Sequence, residues 1–182
     1  MAHIPRVVVI YATAAGSTAG IAERIASVLR DGGCDVDCGP AGPAGPAVDL
    51  EQVDAVVVGS AVHDMAWLPA ALDVLRRVAA SGHRSVWCFS VGAPMPRGRF
   101  TRFLATREEE RVGRGFPTGF RAREHHLFGG IVEMHGVPLW GRLLYRLTGA
   151  RPGDHRDWAA VEAWSTRIAA QLQTAPTPPR PS

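Results

Sequence analysis

The sequence predicts an α/β domain built on a doubly wound, five-stranded parallel sheet. Three observations carry that prediction. Short apolar, β-branched runs recur at residues 6–11 (RVVVIY), 54–60 (DAVVVGS) and 85–90 (SVWCFS), the pattern of strands buried on both faces. Segments with helical apolar spacing separate them. Each run gives way to a loop of small residues. Strands alternating with helices imply right-handed crossovers, with ligand loops at the carboxyl ends of the strands.

The first strand, 6–11, is bounded by Pro5 and a small-residue loop. From Ser17 to Arg30, Ile21, Ala22, Ile25, Val28 and Leu29 keep helical spacing, and Gly32-Gly33 ends that helix. Residues 34–38 make a short second strand, whose alternation puts Cys34 and Cys38 on one face. Residues 39–47 (GPAGPAGPA) mimic a collagen triplet but are too few for a triple helix, so they form a loop. The third strand is 54–60, and a helix spans 69–80 with Pro69 in its first turn. Residues 85–90 form the fourth strand, followed by the loop VGAPMPRG, a helix at 100–112 and an irregular Gly/Pro/Arg stretch at 113–122. The fifth strand is 127–134 (LFGGIVEM), and 138–147 (PLWGRLLYRL) reads as a short basic, apolar helix. A last helix, 157–173, lines up Trp158, Val161, Trp164, Ile168 and Leu172 on one face. Residues 1–173 thus read as one domain and 174–182 as a disordered Pro-rich tail.

Composition bounds the function. The 182 residues, 46% hydrophobic and 20% charged, suit one globular domain. No run of 18 apolar residues occurs, so no membrane-spanning helix is expected. The opening MAHIPR lacks the charged and apolar regions of a signal peptide, and a cytoplasmic location is the expectation. The three cysteines, Cys34, Cys38 and Cys88, read as small core residues rather than a disulfide framework. All twenty basic residues are arginine. Residues 1–96 hold six of them against nine acids, whereas 97–156 hold twelve against six. That basic stretch favours an anionic substrate or peripheral contact with a membrane surface, beside the plainer reading of a solvated face. Within it, Trp140, Leu143, Leu144 and Tyr145 with Arg142 and Arg146 form either an interfacial patch or internal packing. No nucleic-acid partner is expected.

The chemistry is concentrated at the loop after the first strand, Thr13-Ala14-Ala15-Gly16-Ser17-Thr18. It is rich in hydroxyls and small residues and opens directly into a helix, where backbone N–H groups attract an anion. It has no lysine and no Gly-x-x-x-x-Gly-Lys-Ser/Thr pattern, which disfavours a nucleoside triphosphatase. Gly-x-Gly-x-x-Gly is absent too, which disfavours a dinucleotide fold. A single terminal phosphate, bound without metal, suits it better. An ordinary turn capped by Thr13 or Ser17 is the plainer alternative. His125-His126 read as strand-end surface residues rather than metal ligands, and His83 and His155 as surface residues.

Val9-Ile10-Tyr11-x-Thr13-x-x-Gly16-x-Thr18-x-x-x-Ala22-x-x-Ile25 resembles the FMN phosphate signature of flavodoxins at every defined position. The resemblance implies a flavodoxin-like fold with FMN as cofactor. By position it implies that Thr13, Ala14, Ala15, Gly16, Ser17 and Thr18 hold the phosphate. Ser60, Ala61, Val62, His63 and Trp67 would then line one side of the flavin ring, and Ser90, Val91, Gly92 and Ala93 another. His63 is a candidate for proton transfer, against a purely packing role. Trp67 either stacks on the flavin or anchors the following helix.

The stretches VVGSAVH and FSV, the late Gly-Gly-Ile strand, the basic aromatic segment before Gly149 and the Asp157-Trp158 helix are similar to flavodoxin-type, menaquinone-dependent protoporphyrinogen oxidases. That similarity implies an FMN-dependent oxidoreductase passing electrons from a reduced organic substrate to a quinone or another acceptor, at the inner membrane face. A non-catalytic flavodoxin electron carrier is the alternative. No catalytic residue beyond the candidate His63 is implied.

Overall fold

The computed structural model describes residues 3–46, 49–63, 66–92, 115–132 and 153–174. Arg6–Ala12 forms β1, Ser17–Asp31 forms α1 and Asp35–Pro40 forms β2. Ala55–His63 forms β3, which folds back antiparallel onto a two-residue β4, Ala66–Trp67. Then follow α2 (Pro69–Ala80), β5 (Val86–Gly92), β6 (Glu124–Gly129), β7 (Ile131–Val132), β8 (Gly153–Asp154) and α3 (Trp158–Thr174).

Five strands pair in parallel in the order β2-β1-β3-β5-β6, so the doubly wound sheet stands as expected. The winding direction reverses between β1 and β3, where Ala12 lies beside Ser60. The loops after these two strands therefore flank the switch point at which open parallel sheets take up ligands.

Strand alternation builds two cores from one sheet. Val7 and Val9 face one side with Val57 and Phe89, under Ile21, Ile25 and Leu29 of α1 and Trp164 and Ile168 of α3. Val8 and Ile10 face the other with Val56, Val58 and Val86, under Val74 and Leu75 of α2. Each fully buried Ile or Leu contributes about 2 kcal/mol. Gly59 makes the first core possible. A Cβ there would stand 2.0 Å from Phe89 Cζ, so the ring lies directly across the glycine backbone. Between the helices, Arg24 Nε donates to Glu162 Oε1 at 3.1 Å in an exposed pair of modest worth.

Several expectations change. The fifth strand begins at Glu124, three residues before the predicted start, and breaks at Gly130. There the Gly130 amide donates to the Gly92 carbonyl at 2.9 Å, and the chain leaves β6 for the separate β7–β8 ribbon. His125 and His126 are consequently interior positions of β6, half-buried rather than at the surface. His83 is half-buried as well, and desolvation lowers its pKa. Trp158 does not join the buried face of α3. It is 37% exposed, with the Arg156 guanidinium stacked 4.6 Å over its ring. Thr174 is the last residue of α3 rather than the first of the tail. Cys34 and Cys88 are buried and Cys38 half-buried, and all three are free thiols. Burial pushes the Cys38 thiol up to about 11 against the opposing pull of Arg30, so it stays protonated at neutral pH. The helix 100–112, the helix 138–147 with Trp140 to Arg146, and residues 175–182 lie outside the described residues. No described helix is long and apolar enough to cross a membrane.

Candidate functional site

The β1–α1 loop is built to leave hydrogen-bonding groups open. Thr13 to Gly16 are exposed. Gly16 takes the left-handed conformation (φ +86°), which a side chain would strain, and occupies the N-cap of α1. Its amide is turned to Thr13 Oγ1 at 2.9 Å, which closes the loop on itself. No side chain caps the helix and no acid occupies its first turn. The leading amides and the positive end of the helix dipole therefore face outward. The Thr18 hydroxyl is fully buried and has no hydrogen-bond partner. An orphaned donor of that kind costs stability unless something fills it. A phosphate-sized anion would satisfy both the helix end and the hydroxyl.

The carboxyl ends of β3 and β5 are built the opposite way. Ser60 and Ser90 are register partners, both essentially buried, and their hydroxyls are engaged within the protein. Ser60 Oγ accepts the Leu68 amide at 3.0 Å and donates to the Ala61 carbonyl at 2.9 Å. Leu68 is the N-cap of α2, so Ser60 fixes the entry to that helix. Ser90 Oγ accepts the Trp67 indole N–H at 2.7 Å and lies 2.8 Å from His125 Nε2. Trp67 is 4% exposed and packs edge-on against Phe116 at 4.7 Å between ring centroids. Its ring thus supports the β3–β4 hairpin and the start of α2 from inside. Ala61 and Val62 are half-buried, and His63 is exposed at the hairpin end. Val91 is buried and Gly92 half-buried, while Ala93 lies outside the described residues.

Two further residues bear on these strand ends, Gly130 directly and His125 through Ser90. Gly130 sits where the loops meet: a Cβ there would be 3.0 Å from Val91 Cγ1 and 3.4 Å from Ser17 Oγ. The Gly129-Gly130 pair inside an apparent strand was the available signal, since such glycines mark close backbone approach. His125 is the other. Burial, with His126 adding to it, lowers its pKa to about 4. His126 points to the opposite face, 4.5 Å from the Phe128 ring centroid, so the adjacent histidines do not share a ligand. Among the described residues no cluster of His, Cys, Asp or Glu is arranged for a metal ion.

The flavodoxin domain family matches residues 8–157. Comparison with curated protein sequences finds no match. Among solved structures, a flavodoxin from the domain Archaea superimposes with a TM-score of 0.53 at 14% identity, covering 92% of this chain and 99% of that one. The two-electron reduced flavodoxin of Megasphaera elsdenii gives 0.51 at 12% identity, covering 93% and 99%. Rubredoxin oxygen:oxidoreductase from Desulfovibrio gigas gives 0.52 at 20% identity, with 93% of this chain matching 37% of that larger protein. These structures share the fold. The family match spans most of the sequence, and with the sheet order and the open loop at Thr13–Thr18 it leads to one conclusion: the chain belongs to the flavodoxin domain family, whose cofactor is FMN.

Proposed function

We propose that this protein is an FMN-dependent oxidoreductase of the flavodoxin-type protoporphyrinogen oxidase-like group. It would oxidise a reduced organic substrate and reduce a quinone or another acceptor, with bound FMN supplying the electron transfer. The observation that carries the FMN reading is the unpartnered, buried Thr18 hydroxyl beneath an uncapped helix end. Residues 13–18 would hold the phosphate, through backbone amides and the hydroxyls of Ser17 and Thr18. Ala61, Val62, Val91, Gly92 and Ala93 would offer backbone and apolar surface to the ring. Ser60, Trp67 and Ser90 would hold those loops from below. His63, exposed at the end of β3, is the candidate for moving a proton.

The enzyme reading is supported by where the positive charge enters the fold. In the chain, residues 93–114 follow Gly92 at the carboxyl end of β5, and residues 133–152 follow β7. The first segment has six arginines against three acids and the second three against one. Excess positive charge raises the local concentration of an anionic or membrane-borne substrate. It suits a cytoplasmic protein working peripherally at the inner membrane face. The test is FMN loading followed by assay with protoporphyrinogen and a menaquinone analogue. Saturable oxidation coupled to quinone reduction is the expected result, and His63→Ala should lower turnover without releasing FMN. A protein that holds FMN but turns over neither compound is the flavodoxin carrier instead. A colourless protein that cannot be reconstituted overturns both readings.

A further inference from the structure

We infer that His125 is a positioning residue for the ring loops, acting through Ser90 to clamp the carboxyl end of β5 to the β3–β4 hairpin. The inference rests on the FMN reading above and deepens it. Ser90 is 1% exposed and has one proton and two close partners. The indole N–H of Trp67 can only donate, so at 2.7 Å it occupies a lone pair of Ser90 Oγ. Among the described residues the Ser90 proton then has one acceptor in reach, His125 Nε2 at 2.8 Å. If Nε2 carried a proton instead, the Ser90 hydroxyl would be buried with nothing to receive its own. Hydrogen-bond accounting therefore assigns a neutral imidazole protonated at Nδ1.

The resulting chain runs Trp67 N–H to Ser90 O–H to His125. It crosses three separate parts of the fold: the hairpin return, β5 and β6. Aromatic rings enclose it. Phe116 stands 5.4 Å and Trp67 6.0 Å from the imidazole, centroid to centroid. A hydrogen bond shut off from water is stronger and more directional than one at the surface. Ser90 is the first of the residues assigned to one side of the ring, and Trp67 closes the hairpin assigned to the other. Among the described residues, the side-chain contacts of His125 run to Ser90, Trp67 and Phe116. Its effect on cofactor binding is thus through the loops alone.

The test compares wild type with His125→Leu, His125→Gln and Ser90→Ala. Visible circular dichroism and FMN titration report the ring environment. The indole N–H resonance of Trp67, assigned by its loss in Trp67→Phe, reports the clamp without cofactor. In His125→Leu and Ser90→Ala we expect that resonance to move, FMN affinity to fall about tenfold, and the circular dichroism of bound FMN to change. His125→Gln, whose side-chain carbonyl can still accept from Ser90, should restore affinity to within about threefold of wild type. Should His125→Leu fail to fold, Ser90→Ala and His125→Gln carry the same comparison. Unchanged affinity and dichroism in Ser90→Ala would overturn the inference. So would a glutamine variant no better than Ser90→Ala. If wild type binds no FMN, the FMN reading fails, and the Trp67 resonance in the apo variants still decides whether the clamp exists.

Discussion

The two halves of the switch point handle the same kind of residue in opposite ways. In the β1–α1 loop, Thr18 is buried with its hydroxyl unengaged and the helix above it has no cap. In the neighbouring strands β3 and β5, Ser60 and Ser90 are equally buried, yet each hydroxyl holds partners in the protein. The first region stores an unmet demand that a ligand would meet. The second has met its demands and offers shape. A buried hydroxyl therefore marks a binding group only when the surrounding hydrogen bonds have been counted.

The harshest way to break the second region is Gly59→Ala. The new methyl would fall inside the Phe89 ring, 2.0 Å from Cζ, and that ring is fully buried among the side chains of the first core. A loss of about 3 kcal/mol is expected, read by urea denaturation, with no counterpart at the phosphate loop.

Acid should weaken the same region by a comparable amount. The folded His125 titrates at about 4 against an ordinary value of 6.5. Between those values the unfolded chain binds more protons than the folded one, so stability rises with pH through that window. It is complete above about pH 6.5 and falls as pH drops towards 4, by on the order of 3 kcal/mol. The gap between unfolding curves at pH 7 and pH 4.5 should narrow in His125→Gln, with His83 and His126, whose pKa values burial also lowers, carrying the remainder. If the glutamine variant keeps the full wild-type difference, other groups carry it.

Ser90→Ala comes next. It strands the Trp67 indole N–H in the core and should cost about 2 kcal/mol in chemical denaturation. The phosphate loop should answer with the opposite sign. Thr18→Val removes a buried hydroxyl that has no partner, so stability without cofactor should rise, by about 1 kcal/mol. FMN affinity should fall about tenfold in the same variant. A Thr18→Val protein that is both less stable and unchanged in FMN affinity would erase the contrast between the two regions.

Much of this was legible in the sequence, for identifiable reasons. The helix at Pro69–Ala80 was readable to both ends because Pro69 starts it and its apolar period is uninterrupted. The loop at Thr13–Thr18 was readable because a helix end and its hydroxyls are neighbours along the chain. The start of β6 was not. His125 and His126 read as surface residues at a strand end, and only partners from elsewhere in the fold, Ser90 above all for His125, reveal them as half-buried strand positions. Trp158 misled for the converse reason: its apolar spacing fits the helix face, but Arg156 covers it instead. The roles of Ser60 and Ser90 likewise depend on register and on contacts more than twenty residues apart, for Ser90 with both Trp67 and His125. Local pattern carries no such information.

The engaged serines also bear on how quickly a cofactor could load. Immobilising a flexible side chain at an interface costs about 0.5–1.5 kcal/mol at the moment of association. Here the hairpin and the end of β5 are immobilised during folding, with Leu68 held by Ser60 and Trp67 held by Ser90. The freedom of those held residues is surrendered before any ligand arrives. They lose little more on encounter, and the lifetime of the complex falls chiefly to the helix end and the threonine beneath it.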